Sequence, residues 1–115
     1  MNHVQQLSDL HDTKTLKYRY SYSANNVDGN PGDLKAFAAL FIDDASFNVG
    51  MGLAIGPTQI EAMMQELTTQ WHCAMHYMLN PVIEINGDNA TANFTGLFAF
   101  MANGGEAPVW LSNIY

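Results

Sequence analysis

The chain reads as an α+β fold in which three helices pack on a strongly curved, mainly antiparallel sheet and enclose an apolar pocket. Three observations point there. First, the stretch from His72 to Met101 holds two long apolar runs joined at Asn86-Gly87-Asp88, the pattern of a β-hairpin. Second, Pro81 interrupts the first run and cannot donate a ladder hydrogen bond. It implies an edge, a bulge or a break between His72–Asn80 and Val82–Ile85, and a bend there curves the sheet. Third, the residues before the hairpin carry three stretches with helical spacing, separated by turn-forming residues. A length of 115 residues supports one core and one domain.

Taken in order, Ser8 or Asp9 can cap a first helix that runs to about Ala24, with Leu16 and Tyr20 stacked at i, i+4. Tyr18 and Tyr22 form a neighbouring pair and read as amphipathic core residues, with rings buried and hydroxyls at the rim. The segment Val27-Asp28-Gly29-Asn30-Pro31-Gly32 is a loop. Asp33 is a good N-cap for a short second helix, with Leu34, Phe37, Ala38 and Phe41 at i, i+3, i+4, i+7 and Asp43-Asp44 closing it. Ala45–Val49 reads as a strand with Phe47 facing one way and Ser46 and Asn48 the other, followed by a glycine turn at positions 50 and 52. Gly56-Pro57-Thr58 opens a third helix whose apolar stripe is Ile60, Met63, Met64, Leu67 and Trp71. In the hairpin's first arm, alternation puts His72, Ala74, His76 and Met78 on one face and Cys73, Met75, Tyr77 and Leu79 on the other. Asn103-Gly104-Gly105-Glu106 is a further turn, and Pro108–Tyr115 a further strand.

Composition narrows the function classes. Nearly half the residues are apolar and only 13% are charged, which argues for a compact core and against disorder. The formal charge is −7 with four Lys and Arg, all before position 36, so nucleic acid and anionic membranes are poor partners. The single cysteine, Cys73, excludes an internal disulfide and reads as a small buried strand residue. No run approaches the roughly 20 apolar residues of a membrane span. The N-terminus lacks a basic segment followed by an apolar one, so a cytoplasmic location is the expectation. His72 and His76 stand about 13 Å apart at strand rise, too far to share an ion at bonds of roughly 2 Å, so no metal site is expected.

The run from His76 through Asn80-Pro81-Val82-Ile83-Glu84-Ile85-Asn86-Gly87-Asp88 to Ala92 resembles the central hairpin of the SnoaL-like branch of the NTF2-like superfamily. That branch includes scytalone dehydratase, polyketide cyclases and a dehydrochlorinase. Tyr20 near a helix end, Gly32 through Ala45, and Gly56 opening a helix resemble the same family upstream, in family order over nearly the whole chain. The resemblance implies an NTF2-like cone, three N-terminal helices on the curved sheet around the pocket. It also implies a homodimer or homotrimer. Family members usually continue through a further turn into one more strand, so the domain is expected to lack its last C-terminal strand, the edge being shortened or completed by another subunit.

The resemblance carries residues only in part. His76 matches the family's pocket histidine and Tyr20 its helix tyrosine, while the position of the expected aspartate holds Asn25, which cannot take a proton at neutral pH. Asp28, three residues on, either swings inward to pair with His76 or stays a turn residue. The catalytic candidates are therefore His76, Asp28 and Tyr20. Asn25, Phe41, Met63, Trp110 and Asn113 are the candidates for holding substrate. The second histidine of scytalone dehydratase would fall near Phe98 to Phe100, where this chain has none, so dehydration of a polyol does not transfer. What the resemblance implies is a cofactor-independent lyase or isomerase, dehydratase- or cyclase-like, acting on a small hydrophobic cyclic substrate by histidine acid/base chemistry. The alternative is a non-catalytic small-ligand-binding or dimerisation module of the same fold.

Overall fold

A computed structural model describes residues 3–27, 30, 32–49 and 52–105, and the backbone of 109–114. The elements in order are α1 (His3–Ala24), α2 (Leu34–Ala38), β1 (Ser46–Asn48), β2 (Leu53–Ile55), α3 (Gly56–Thr68), β3 (Trp71–Asn86), β4 (Asn89–Ala102) and β5 (Val109–Ile114). β3, β4 and β5 form a curved antiparallel sheet in that order, and β1 pairs with β2 in a separate ribbon. The α+β cone expected from the sequence is what forms.

Helix α1 begins at His3, earlier than the Ser8 or Asp9 cap read from the sequence. Nothing between His3 and Ser8 breaks a helix, and Asp9 serves inside it: its side chain accepts from Gln5 at 2.8 Å and its carbonyl accepts from Thr13 Oγ1 at 2.8 Å. Only one stripe of α1 is buried, through Tyr20, Ser21 and Ala24. Tyr18 and Tyr22 flank that stripe and are 41% and 80% exposed, so they are surface residues rather than core. Asp33 does cap α2, its carboxylate accepting from the Ala36 amide at 3.0 Å. α2 stops at Ala38, short of Asp43-Asp44, because Leu40 and Phe41 donate to carbonyls three residues back and tighten the chain into a turn. That turn carries Phe41 inward, where its ring lies 5.4 Å from Phe37 and 5.6 Å from Phe47. Tyr20 lies 4.8 Å from Phe37, so one aromatic group ties α1, α2 and β1 together in tilted and edge-on contacts.

β1 buries Phe47 and exposes Ser46 and Asn48, as alternation requires, and β2 supplies Ala54 opposite Phe47. The sequence reading took this return only as a glycine turn. α3 starts at Gly56 with proline in the first turn. Gly56 has φ +78°, and a Cβ there would stand 2.6 Å from the Asp43 carbonyl, so glycine is required twice over. Ile60 and Met64 are buried on α3, whereas Trp71 belongs to β3, its ring 4.7 Å from Phe100.

Two irregularities shape β3. Leu79 pairs with Thr95 and Val82 with Asn93, so Asn80 and Pro81 together oppose Phe94. Asn80 takes φ +51°, a conformation asparagine tolerates, and Pro81 loses no ladder bond it could have made. This is a bulge within one continuous strand, one of the alternatives read from Pro81. It flips the side-chain parity: Ala74, His76 and Met78 face inward before it, Ile83 and Ile85 after it. The second shift, between Trp71 and Cys73, sets His72 outside the strand register and exposes it. His72 therefore does not share a face with His76 as strict alternation predicted; Trp71 takes the inner place. Cys73 is half-buried on the outer face. No described helix is long and apolar enough to cross a membrane.

Candidate active site

The end of α1 is stitched to β3 immediately beside His76. Asn26, fully buried, exchanges both backbone hydrogen bonds with Ala74, at 2.8 and 2.9 Å, and its side chain donates to the Trp71 carbonyl at 3.1 Å. One turn back on α1, Ser21 Oγ donates to the His76 carbonyl. Asn25 is thereby held against the strand. Gly32 closes on it from behind: a Cβ on Gly32 would lie 2.6 Å from the Asn25 carbonyl.

Asn25 Oδ1 accepts from the His76 backbone N–H at 2.7 Å and lies 3.1 Å from His76 Nδ1. The first contact fixes the amide, because a backbone N–H can only donate and must face oxygen. The second then fixes the imidazole. Facing an oxygen that only accepts, Nδ1 must carry the proton, which leaves Nε2 with a free lone pair. The ring stands edge-on to Phe98 and Phe100, with centroids 5.4 and 5.8 Å away. Burial, and after it the positive charge of Lys17, lower the His76 pKa from 6.5 to about 4. The imidazole is neutral at physiological pH, and Nε2 is a weak but desolvated base.

Farther along the concave face lies a cavity of about 440 Å³. Its walls include Leu16, Lys17 and Tyr20 from α1, Phe41 and Phe47 from the aromatic group, and Phe94 from β4. Between Phe94 and Phe98 the inward position of β4 is Gly96, opposite Met78. Lys17 Nζ sits 3.7 Å from the centroid of the Tyr20 ring, and burial lowers its pKa from 10.5 to about 8.

Of the residues singled out in the sequence, His76 and Asn25 are in direct contact, and Tyr20 and Phe41 share the cavity wall. Met63 lies elsewhere, in a surface depression with Leu53 and Leu67. Asp28 lies outside the described residues. Trp110 and Asn113 are described only by backbone, opposite Ala99 and Gly96. Sequence reasoning missed Lys17, although it precedes Tyr20 by one helical turn and so shares its stripe. It also missed Ser21, whose role depends on a contact across the fold. Among the described residues no three His, Cys, Asp or Glu side chains cluster to hold a metal ion.

Comparison with known proteins adds the lineage. The profile of the SnoaL-like domain matches residues 5–115. Among solved structures, a candidate scytalone dehydratase from Novosphingobium aromaticivorans superposes with a TM-score of 0.78 at 18% identity, covering 96% of this chain and 72% of that one. An NTF2-like protein with a cystatin-like fold from the same organism gives 0.70 at 23% identity, covering 96% and 70%. A hexachlorocyclohexane dehydrochlorinase gives 0.76 at 16% identity, covering 99% and 78%. At these identities the likeness is one of fold. Among curated proteins none matches.

Proposed function

The chain belongs to the SnoaL-like domain family, and from that premise we propose that it is a cofactor-independent lyase or isomerase acting on a small hydrophobic cyclic molecule. The observation that carries this reading is the His76–Asn25 contact, which leaves a neutral imidazole with Nε2 as its unprotonated nitrogen, the ring standing against Phe98 and Phe100. Nε2 takes a proton from a carbon beside a carbonyl or beside a leaving group. The body of the substrate fills the cavity, which His76 does not itself line, and reaches His76 past Gly96 once the buried Met78 opposite it turns aside. Tyr20 offers its hydroxyl to a substrate oxygen. Asn25 is engaged by His76, so its part is to position the base rather than to hold substrate. Two of the similar structures carry names of eliminations, a dehydratase and a dehydrochlorinase, which supports chemistry of this kind.

The test is turnover of a panel of small cyclic hydroxyketones and their open-chain precursors, followed by mass spectrometry for water loss or ring closure. Turnover that disappears in His76→Gln supports the proposal; turnover unchanged in that variant overturns it. A second reading, a non-catalytic ligand-binding module, is favoured by the low basicity of His76. It requires ligands that bind His76→Gln as tightly as the wild type and are released unchanged. For assembly we propose a homodimer or homotrimer through the outer sheet face. There Met75, Tyr77 and Leu79 stand beside Leu97 and Ala99, and Tyr77 and Leu79 are over 40% exposed. Light scattering that finds only monomer at micromolar concentration removes that part.

A further inference from the structure

Met78 stands between the cavity and His76. Along β4, Ala90, Ala92 and Phe94 line the cavity, Gly96 follows opposite Met78, and Phe98 comes next, opposite His76. The Met78–Gly96 pair therefore separates the cavity from the base, with the His76 Cα about 6–7 Å beyond that of Met78 at strand rise. The mouth lies at the other end, because Thr13 and Ala90 also border the surface depression beside the Gly87 turn. A molecule entering there meets Met78 before it meets the imidazole.

Of the groups at this point, Met78 is the one able to yield. It is buried in the core cluster that also holds Tyr20, Phe94 and Phe98. Those rings are stiff and bulky, whereas methionine is unbranched, with three rotatable bonds and a soft thioether. The strand cannot move in its place. Ala74 exchanges both backbone hydrogen bonds with Asn26, and the His76 amide and carbonyl are held by Asn25 and Ser21. Gly96, directly across, offers the displaced thioether no side chain to clash with.

Resting on the proposed role of His76 as the base, we infer that Met78 is a specificity-determining residue, whose turning aside sets the thickness of the molecule that reaches Nε2. The gap it leaves has the width of one unbranched side chain. A flat ring entering edge-on is one carbon layer thick and fits such a gap. A puckered saturated ring carries axial hydrogens on both faces, and a close-packed interior resists the extra thickness. Binding and reaction are thus set by different residues: the cavity walls hold either molecule, and Met78 decides which one reacts.

The experiment uses the full chain with two ketones of one carbon skeleton, the flat 2-tetralone and the saturated 2-decalone. Solvent deuterium exchange into each is followed by NMR and expressed as acceleration over the uncatalysed rate. Expected is an acceleration about tenfold greater for 2-tetralone in the wild type, and a gap closed in Met78→Ala by faster exchange of 2-decalone. Met78→Ile keeps the bulk but is stiff at χ1, so it should lower kcat for 2-tetralone about tenfold and leave KM unchanged. That variant decides the matter if the smaller alanine fails to fold. Equal acceleration of both ketones by the wild type, a gap that persists in folded Met78→Ala, or wild-type kcat in Met78→Ile overturns the inference and leaves the role of His76 intact. A wild type no faster than His76→Gln on either ketone overturns that role, and the inference with it.

Discussion

Replacing Asn25 with aspartate keeps the Oδ1 that contacts His76, exchanges the amide NH2 for a second oxygen, and adds a negative charge at a position 3.1 Å from Nδ1. The geometry is already that of a carboxylate–imidazole pair, since Oδ1 accepts from both the backbone N–H and the ring. An opposite charge at this range favours the imidazolium by about 1–3 pKa units, or about 1.4–4 kcal/mol at 1.36 kcal/mol per unit. Starting from about 4, the His76 titration in Asn25→Asp should therefore move to about 5–7. Proton NMR of the imidazole Cε1–H between about pH 3 and about pH 9 reads this directly. The same variant should raise the rate of proton abstraction, because a stronger base is presented at the same point. A His76 titration unchanged or lowered in Asn25→Asp would refute the reasoning, since Asn25 would then not face the ring as an acceptor.

Three further predictions concern stability. The folded pKa of His76, about 4, lies below its ordinary 6.5, so between those values the unfolded chain binds more protons and wild-type stability falls as pH falls. The loss is about 2–3 kcal/mol from pH 6.5 to pH 4, and urea unfolding of His76→Gln should show a correspondingly shallower fall; an identical fall refutes it. The folded pKa of Lys17, about 8, lies below 10.5, so the cost of its charge is fully present below pH 8 and is relieved as pH rises toward 10.5. Discounted for partial exposure, Lys17→Met should be more stable by about 1–2 kcal/mol at pH 7, and a net loss on denaturant melts would contradict this. Gly32→Ala would force a Cβ to 2.6 Å from the Asn25 carbonyl, and should cost about 1–3 kcal/mol and alter the His76 resonances. A variant with wild-type melting and spectra would show that the backbone yields there freely.

Much of the scaffold was legible because local chemistry decides it. The Asp33 cap, the Gly56-Pro57 helix start and the turn at Gly87, φ +61°, each follow from side chains within a few residues. The parity of β3 was legible only in its middle. Pro81 announces a bulge, whereas nothing at His72 announces the second one, which comes from the register against Ala102 and Met101. For the site, His76 and Tyr20 were found by pattern, and Asn25 was recognised as a departure. Its consequence could not be read from the chain, because it depends on which amide atom meets a strand 51 residues away. Lys17 was overlooked for a different reason: a lysine on an amphipathic helix is ordinarily solvated, and only its stacking on Tyr20 shows that this one is not.

The most direct test of His76 as a neutral base on the concave face is solvent deuterium exchange into 2-tetralone, a bicyclic ketone with acidic C–H bonds, followed by NMR with wild type and His76→Gln. Wild type should accelerate exchange, with a rate level above about pH 5 that falls as the imidazole protonates near 4, and His76→Gln should give the uncatalysed rate. Exchange equally fast in His76→Gln, or a wild-type rate that follows a group titrating near 6.5, would contradict it.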